Sequence, residues 1–178
     1  EKVIDTIDTA YTSEQGVEEI VDKAPEILRR VRYVEEKRIV QDFLYEIGHD
    51  TGLATYGENE VRRTLNLGIV KTLLLSEALD ITRVVAKCSS CDYIYKETIK
   101  SHMVLTFEQG LSGKPCPKCG VPTFQLVEKN DIIEELAEIA EKAGSDIEII
   151  SIETEEGQML NESFGGIAAI LRFKSPNR

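Results

Sequence analysis

Four cysteines carry the clearest chemistry in this chain of 178 residues, and they come as two pairs, Cys88-Ser-Ser-Cys91 and Cys116-Pro-Lys-Cys119. Two intervening residues let one tight turn aim both sulfurs at a single point, where backbone amides of the turn can hydrogen-bond to them. Gly120 follows the second pair and suits the positive φ that such a turn needs there. Two knuckles together offer four thiolates, the tetrahedral donor set that zinc takes in closed structural sites. Cys88, Cys91, Cys116 and Cys119 are therefore the expected ligands of one structural zinc ion. A filled coordination sphere leaves no position for a reactive water, so a catalytic metal is not expected. The alternative is paired thiols or disulfides without metal, but CxxC disulfides are strained and usually redox-active. A secreted disulfide scaffold would pack more cysteines into a shorter chain, so the usage suits a cytoplasmic protein. His102, between the pairs, reads as a solvated loop residue. Zinc contributes roughly 10–16 kcal/mol at neutral pH in comparable small modules, enough to fold a cysteine-bearing insertion outright.

The elements that must hold these sulfurs alternate between helix and strand. Val3–Tyr11 reads as a strand, and Thr12-Ser-Glu-Gln15 as a capping box. Val17, Ile20, Val21, Ala24, Ile27, Leu28 and Val31 then follow helical spacing, with Pro25 as an expected kink. A second helical stripe comprises Ile39, Val40, Phe43, Leu44 and Ile47, keeps Glu35, Glu36, Lys37 and Arg38 off it, and ends at Gly48 and Gly52. The junction at Arg32–Val34 is a candidate domain boundary. A short helix over Glu58 to Leu67 and strands over Ile69 to Leu75 and Ile81 to Lys87 follow. Tyr93-Ile94-Tyr95 and Met103-Val104-Leu105 predict a small hairpin between the cysteine pairs. Beyond them come a strand over Thr123 to Val127 and a helix capped by Asn130 and closed by Gly144. Strands around Ile147–Ile152 and Ile167–Phe173 complete the chain. This alternation predicts an α/β fold with a helix-flanked sheet.

The apolar fraction of 42% and charged fraction of 30% are those of a folding chain, and no apolar run is long enough to span a membrane. The net charge of −11 repels phosphates, which argues against direct nucleic-acid binding by this piece and suits a basic protein partner. No phosphate-binding glycine loop, nucleophile elbow or HExxH motif occurs, so no enzyme is expected. Glu134-Glu135 and Glu155-Glu156 read as solvated surface, and His49 as a residue that caps a helix or faces water. The opening Glu1-Lys-Val-Ile-Asp reads as the middle of a domain, hence as part of a fragment.

The segment Phe164-Gly165-Gly166-Ile167-Ala168-Ala169-Ile170-Leu171-Arg172-Phe173 is the most specific in the chain. Taken with Ile4-Asp5-Thr6-Ile7-Asp8, Glu35-Glu36-Lys37, Glu46-Ile47-Gly48-His49-Asp50-Thr51-Gly52 and Leu65-Asn66-Leu67-Gly68, it resembles the C-terminal domain of class 1 release factors of the eukaryotic and archaeal type. The cysteine pairs fall in that family's mini-domain insertion, which brings archaeal members nearest. The resemblance implies an α/β/α sandwich similar to ribosomal protein L30e, with a small zinc-ribbon-like β insertion. Residues 1–32 would be the last strand and helix of the preceding middle domain, 33–178 the L30e-like domain, and 88–122 the zinc mini-domain within it. It implies a part in translation termination, docking a translational GTPase (elongation factor 1-alpha in archaea) and an ABC-type recycling ATPase, with the ribosome engaged by the full-length protein. Carried over position by position, the docking patch would include Leu44, Ile47, Tyr56, Phe164, Gly165 and Gly166, although Leu44 and Ile47 share a stripe with core residues. Ala168 and Ala169 depart from the glycines that eukaryotic members favour. The Gly-Gly-Gln that triggers peptide release in the family does not occur here, so the chain is expected neither to read stop codons nor to release peptide. Two other readings are an RNA-binding L30e-like module with a zinc ribbon and a pelota-type ribosome-rescue factor domain. The first needs a basic face; the second should lack the cysteine quartet.

Overall fold

The computed structural model describes Thr6, Asp8 and residues 14–174. The expected strand over Val3–Tyr11, apart from Thr6 and Asp8, and the capping Thr12 lie outside the described residues. The first described element is a single helix, α1 (Glu14–Gly48), 35 residues long. It joins both predicted helical patterns without a break at Arg32–Val34, and Pro25 lies inside it without ending it. The junction contains neither glycine nor proline, and Arg32 and Glu36 pair across it one turn apart. What changes there is the surroundings. The N-terminal half leaves Val17, Val21 and Leu28 at least 60% exposed, whereas Val40 and Phe43 in the C-terminal half are fully buried.

The chain continues through β1 (Ala54–Tyr56), α2 (Glu58–Asn66), β2 (Val70–Ser76), β3 (Ile81–Cys88), β4 (Ile94–Lys100), a 3-10 turn (Ser101–Met103) and α3 (Val104–Leu111). It ends with β5 (Phe124–Asp131), α4 (Ile132–Lys142), β6 (Asp146–Ile150), α5 (Glu155–Phe164) and β7 (Ile167–Leu171). Two sheets form, a four-stranded one in the order β1-β7-β2-β6 and a three-stranded one in the order β4-β3-β5. In the first, β2 runs parallel to β6 and antiparallel to β7.

Side-chain alternation along the central strands separates the two faces of the large sheet. Leu73, Leu75, Ile167, Ala169 and Leu171 pack with Val61 and Leu65 of α2 and Ile132, Leu136 and Ala140 of α4. Leu74, Ile150 and Ala168 point the other way, onto Val40 and Phe43 of α1 and Leu160 of α5. The result is the predicted α/β/α sandwich. Glu36, expected on the solvent side of α1, is instead buried, and accepts a hydrogen bond from the Ser151 amide at 2.9 Å. Arg32 donates to the Ile149 carbonyl at 3.2 Å. These two side chains of α1 thereby satisfy backbone groups along and just beyond β6, an edge strand.

Several local expectations change. Met103–Leu105 is not a strand: Val104, Phe107 and Leu111 recur at helical spacing, and Leu111 is the buried member. The strands that flank the cysteines are β3 and β5, so the 88–122 segment is the distal part of a larger arm running from residue 81 to 131. The cap of α4 is Asp131, one residue after Asn130, and its carboxylate accepts from the Ile133 amide at 2.8 Å. Glu155 and Glu156 open helix α5, Glu155 exposed and Glu156 half-buried. The carboxylate of Glu156 sits 2.9 Å from Lys37 Nζ, and that ammonium holds it below the usual carboxylate range. No helix among the described residues is long and apolar enough to cross a membrane.

Candidate metal centre

Each cysteine pair is held by the same backbone device. In the first knuckle the Asp92 amide donates to the Cys88 carbonyl at 2.9 Å, and the Cys88 amide donates to the Tyr93 carbonyl at 2.9 Å. In the second, the Gly120 amide donates to the Cys116 carbonyl at 2.8 Å and the Cys116 amide to the Val121 carbonyl at 3.2 Å. The residue after each second cysteine has positive φ, 58° at Asp92 and 75° at Gly120. Glycine made this legible at position 120. At 92 the same conformation is carried by an aspartate, a side-chain type that tolerates the left-handed region and is no signal of it by itself. A further amide bond, Ser89 to the Thr123 carbonyl at 3.0 Å, ties the first knuckle to β5.

The two knuckles meet over a small apolar floor. Ala86, Leu111 and Phe124 are buried with Cys88 and Cys116, and Tyr93, Tyr95, Phe107 and Leu126 pack around them. Lys114 Nζ lies 3.7 Å from the Tyr95 ring centroid, a cation over the aromatic face. The four sulfurs all lie within 4.8 Å of one another, with Cys88–Cys119 at 3.7 Å and Cys91–Cys116 at 3.6 Å. A tetrahedron with metal–sulfur bonds of about 2.3 Å has edges of about 3.8 Å, which these two separations match, so the donor set suits zinc. Cys119 is exposed and Cys91 half-exposed, which leaves a path for the ion. His102 is exposed and is not a member of the cluster.

The protonation of the sulfurs is uneven. The Thr123 hydroxyl, 3.3 Å from Cys88 Sγ, and the Ser90 and Cys91 amides lower the Cys88 thiol to about 6. At Cys91 the Tyr93 amide also favours the thiolate, yet burial and the three neighbouring cysteines push the group up to about 12. Four like charges cannot gather here unaided, and a divalent cation is what makes the fully ionised set stable.

The residues expected in a docking patch gather around Phe164, where α1, α5 and the start of β7 meet. Leu44 and Ile47 are half-buried against the core between α1 and the sheet. Phe164 stacks edge-on between Phe43 at 5.1 Å and Tyr56 at 5.2 Å, and Tyr56 is 47% exposed. Gly165 caps α5 in the left-handed region, at φ 71°, with open space where a Cβ would stand. Gly166 is buried at φ 73°, and a Cβ there would lie 2.9 Å from Leu79 Cδ2. The Asn161 and Ser76 side chains would also stand 3.1 Å from that Cβ, so backbone conformation and packing both favour glycine, while its carbonyl accepts from the Ser76 amide. His49 donates from Nδ1 to the Tyr45 carbonyl at 2.9 Å in the last turn of α1 and stacks on the Tyr45 ring.

The fold and the quartet can be set beside known proteins. A family model described as eRF1 domain 3 matches residues 33–175. Peptide chain release factor subunit 1 of Pyrococcus abyssi is 48% identical over 173 residues, which are 97% of this chain and 41% of that protein. The chain therefore spans about 41% of the length of that relative. The C-terminal domain of a peptide chain release factor from Methanosarcina mazei superposes with a TM-score of 0.78 at 38% identity, covering 93% of this chain and 99% of that one. An archaeal Pelota solved on the ribosome with ABCE1 shares the fold at a TM-score of 0.52 and 23% identity, over 94% of this chain and 34% of that one. With its sandwich, its cysteine-bearing arm and these matches, the chain belongs to the peptide chain release factor subunit 1 family and carries its eRF1 domain 3.

Proposed function

We propose that this domain is the partner-docking end of an archaeal translation termination factor. It recruits a translational GTPase, elongation factor 1-alpha, and an ABC-type recycling ATPase to the terminating ribosome, in the cytoplasm. The observation that carries the reading is the aromatic ladder Phe43–Phe164–Tyr56. It starts in the core and ends on a tyrosine left 47% exposed, and its middle ring, Phe164, leads directly into Gly165, whose Cβ position is open. A rigid aromatic anchored from behind loses little freedom on binding, which is what a hot spot needs. Leu44 and Ile47 support Phe43 from the same helix and form the floor of the patch. Gly166 is assigned to packing. The net charge of −11 favours a protein partner over RNA. The ABCE1 beside ribosome-bound Pelota, on the same fold, supports an ATPase of that class as the second partner.

In this reading the quartet holds zinc as a structural ion, and chemistry at the peptidyl-tRNA belongs to parts of the protein outside this domain. Residues 1–32 belong to the preceding domain, and 33–178 to this one. The exposed apolar face of α1 at Val17, Val21 and Leu28 supports that division, since a covering neighbour would bury it. The decisive experiment is a pull-down of the zinc-loaded chain against GTP-loaded archaeal elongation factor 1-alpha. Wild type should bind, and Tyr56→Ala and Phe164→Ala should each lose at least tenfold in affinity. Wild type that binds RNA and not the GTPase would favour the RNA-binding alternative.

A further inference from the structure

We propose that Glu58, Arg62, Arg83 and Glu135 form a charge joint that sets the direction in which the cysteine-bearing arm leaves the sandwich. The arm connects to the body at two places, the 77–80 turn after β2 and the direct passage from β5 into α4 at Asp131–Ile132. Its apolar floor around Ala86, Leu111 and Phe124 is a cluster of its own, and at the base of the arm Ile81 packs half-buried against the sandwich core. Two strand connections and the packing at Ile81, all at the base of the arm, leave its direction to the polar groups that meet there.

The four charges stand where the two parts meet. Arg83, on β3, donates from Nη1 to Glu58 Oε1 at 2.5 Å, and its Nε lies 3.7 Å from Glu135 Oε1. Arg62, on α2, donates from Nη1 to Glu135 Oε1 at 2.7 Å and from Nη2 to Glu58 Oε1 at 3.1 Å. Positive and negative groups therefore alternate around a closed ring drawn from α2, α4 and the arm. Both carboxylates lie in the first turn of a helix, where the backbone amides favour negative charge. All four side chains are between 16% and 22% exposed, so water screens them only in part. Arg62 Nε and Glu135 Oε2 are buried with no hydrogen-bond partner among the described residues. A ring that leaves two polar atoms unmatched is poorly built for net stability, since desolvation offsets much of its attraction. It is well built for geometry: rotating the arm separates Arg83 from both carboxylates at once.

The test is to measure residual dipolar couplings on the metal-loaded, 15N-labelled chain. In wild type at low salt one alignment tensor should fit the amides of both sheets. In R83Q the arm should lose that shared tensor and require one of its own, with unchanged metal stoichiometry. E135Q should behave likewise. Raising salt on wild type to about 1 M, where the screening length is about 3 Å, should move it part of the way. A single tensor in R83Q and E135Q with metal bound would overturn the proposal. So would two tensors in wild type at low salt. If neither variant folds, the salt titration decides alone: a single tensor unchanged up to high salt counts against the joint.

Discussion

The sandwich buries Leu73, Leu74 and Leu75 completely, using both faces of a central strand, while the arm leaves Ile94, Leu105 and Val127 more than half exposed. The difference is one of size. A four-stranded sheet with helices on both sides removes enough apolar surface from water to hold itself together. A three-stranded sheet with one short helix does not, and small units of that kind take a metal centre in place of a larger core. In the sandwich, the proposed docking surface would be secured from behind by this core. In the arm, the four cysteines that could hold a metal sit at the centre of the small core.

Chelation is the largest test of this contrast. Removing the ion, or replacing its buried ligand in Cys116→Ser, should collapse the amide dispersion of residues 81–131 while the sandwich resonances persist. Collapse of both together would mean that the two regions are one folding unit. The converse perturbation is Leu74→Ala, which should cost about 2–5 kcal/mol in urea unfolding of the sandwich and leave metal stoichiometry unchanged. Next come the glycines at the end of α5. Gly165→Ala forces a left-handed residue into open space and should cost about 1–2 kcal/mol. Gly166→Ala should cost more, because its Cβ would also press on Leu79.

The smallest effects are electrostatic and confined to the sandwich. Burial, followed by Glu35, Glu36 and Asp146, raises the carboxyl of Glu148. A raised carboxyl opposes folding once pH exceeds its folded value, so Glu148→Gln should stabilise the chain near pH 7, by up to about 0.5 kcal/mol. Glu77 has the opposite sign. The Ser151 hydroxyl and the Ile152 amide hold it below the usual carboxylate range. Its contribution is present above the unfolded value and lost as pH falls through the lower folded one. Glu77→Gln should therefore flatten the acid limb of a stability–pH curve and leave the arm's metal binding unchanged.

Helix α5 shows where reading by pattern fails. Its sequence has few apolar positions, and Gly157 in its first turns looks like a breaker. In the fold that glycine is obligatory, because a Cβ would stand 1.8 Å from the Ser151 carbonyl oxygen. The triplet Met103-Val104-Leu105 is ambiguous for another reason. Three adjacent apolar residues fit a strand or a helix, and only packing on the cysteine floor selects the helix. Glu36 and Glu135 looked like solvent-facing charges on amphipathic helices. One is buried at a sheet edge and the other closes the ring with Arg83.

What the sequence alone determined is what depends on neighbours along the chain. The spacing inside each CxxC pair dictates a knuckle and a metal donor set, and the uninterrupted apolar runs along β2 and β7 call for a strand buried on both faces. The resemblance carried by the Phe164–Phe173 segment named the family. Tertiary structure alone decided which charges are buried, how far α1 continues, and where the arm points. Each of those depends on pairs such as Arg83 with Glu135 or Glu36 with Ser151, which lie far apart in sequence and meet only when the sheets are assembled.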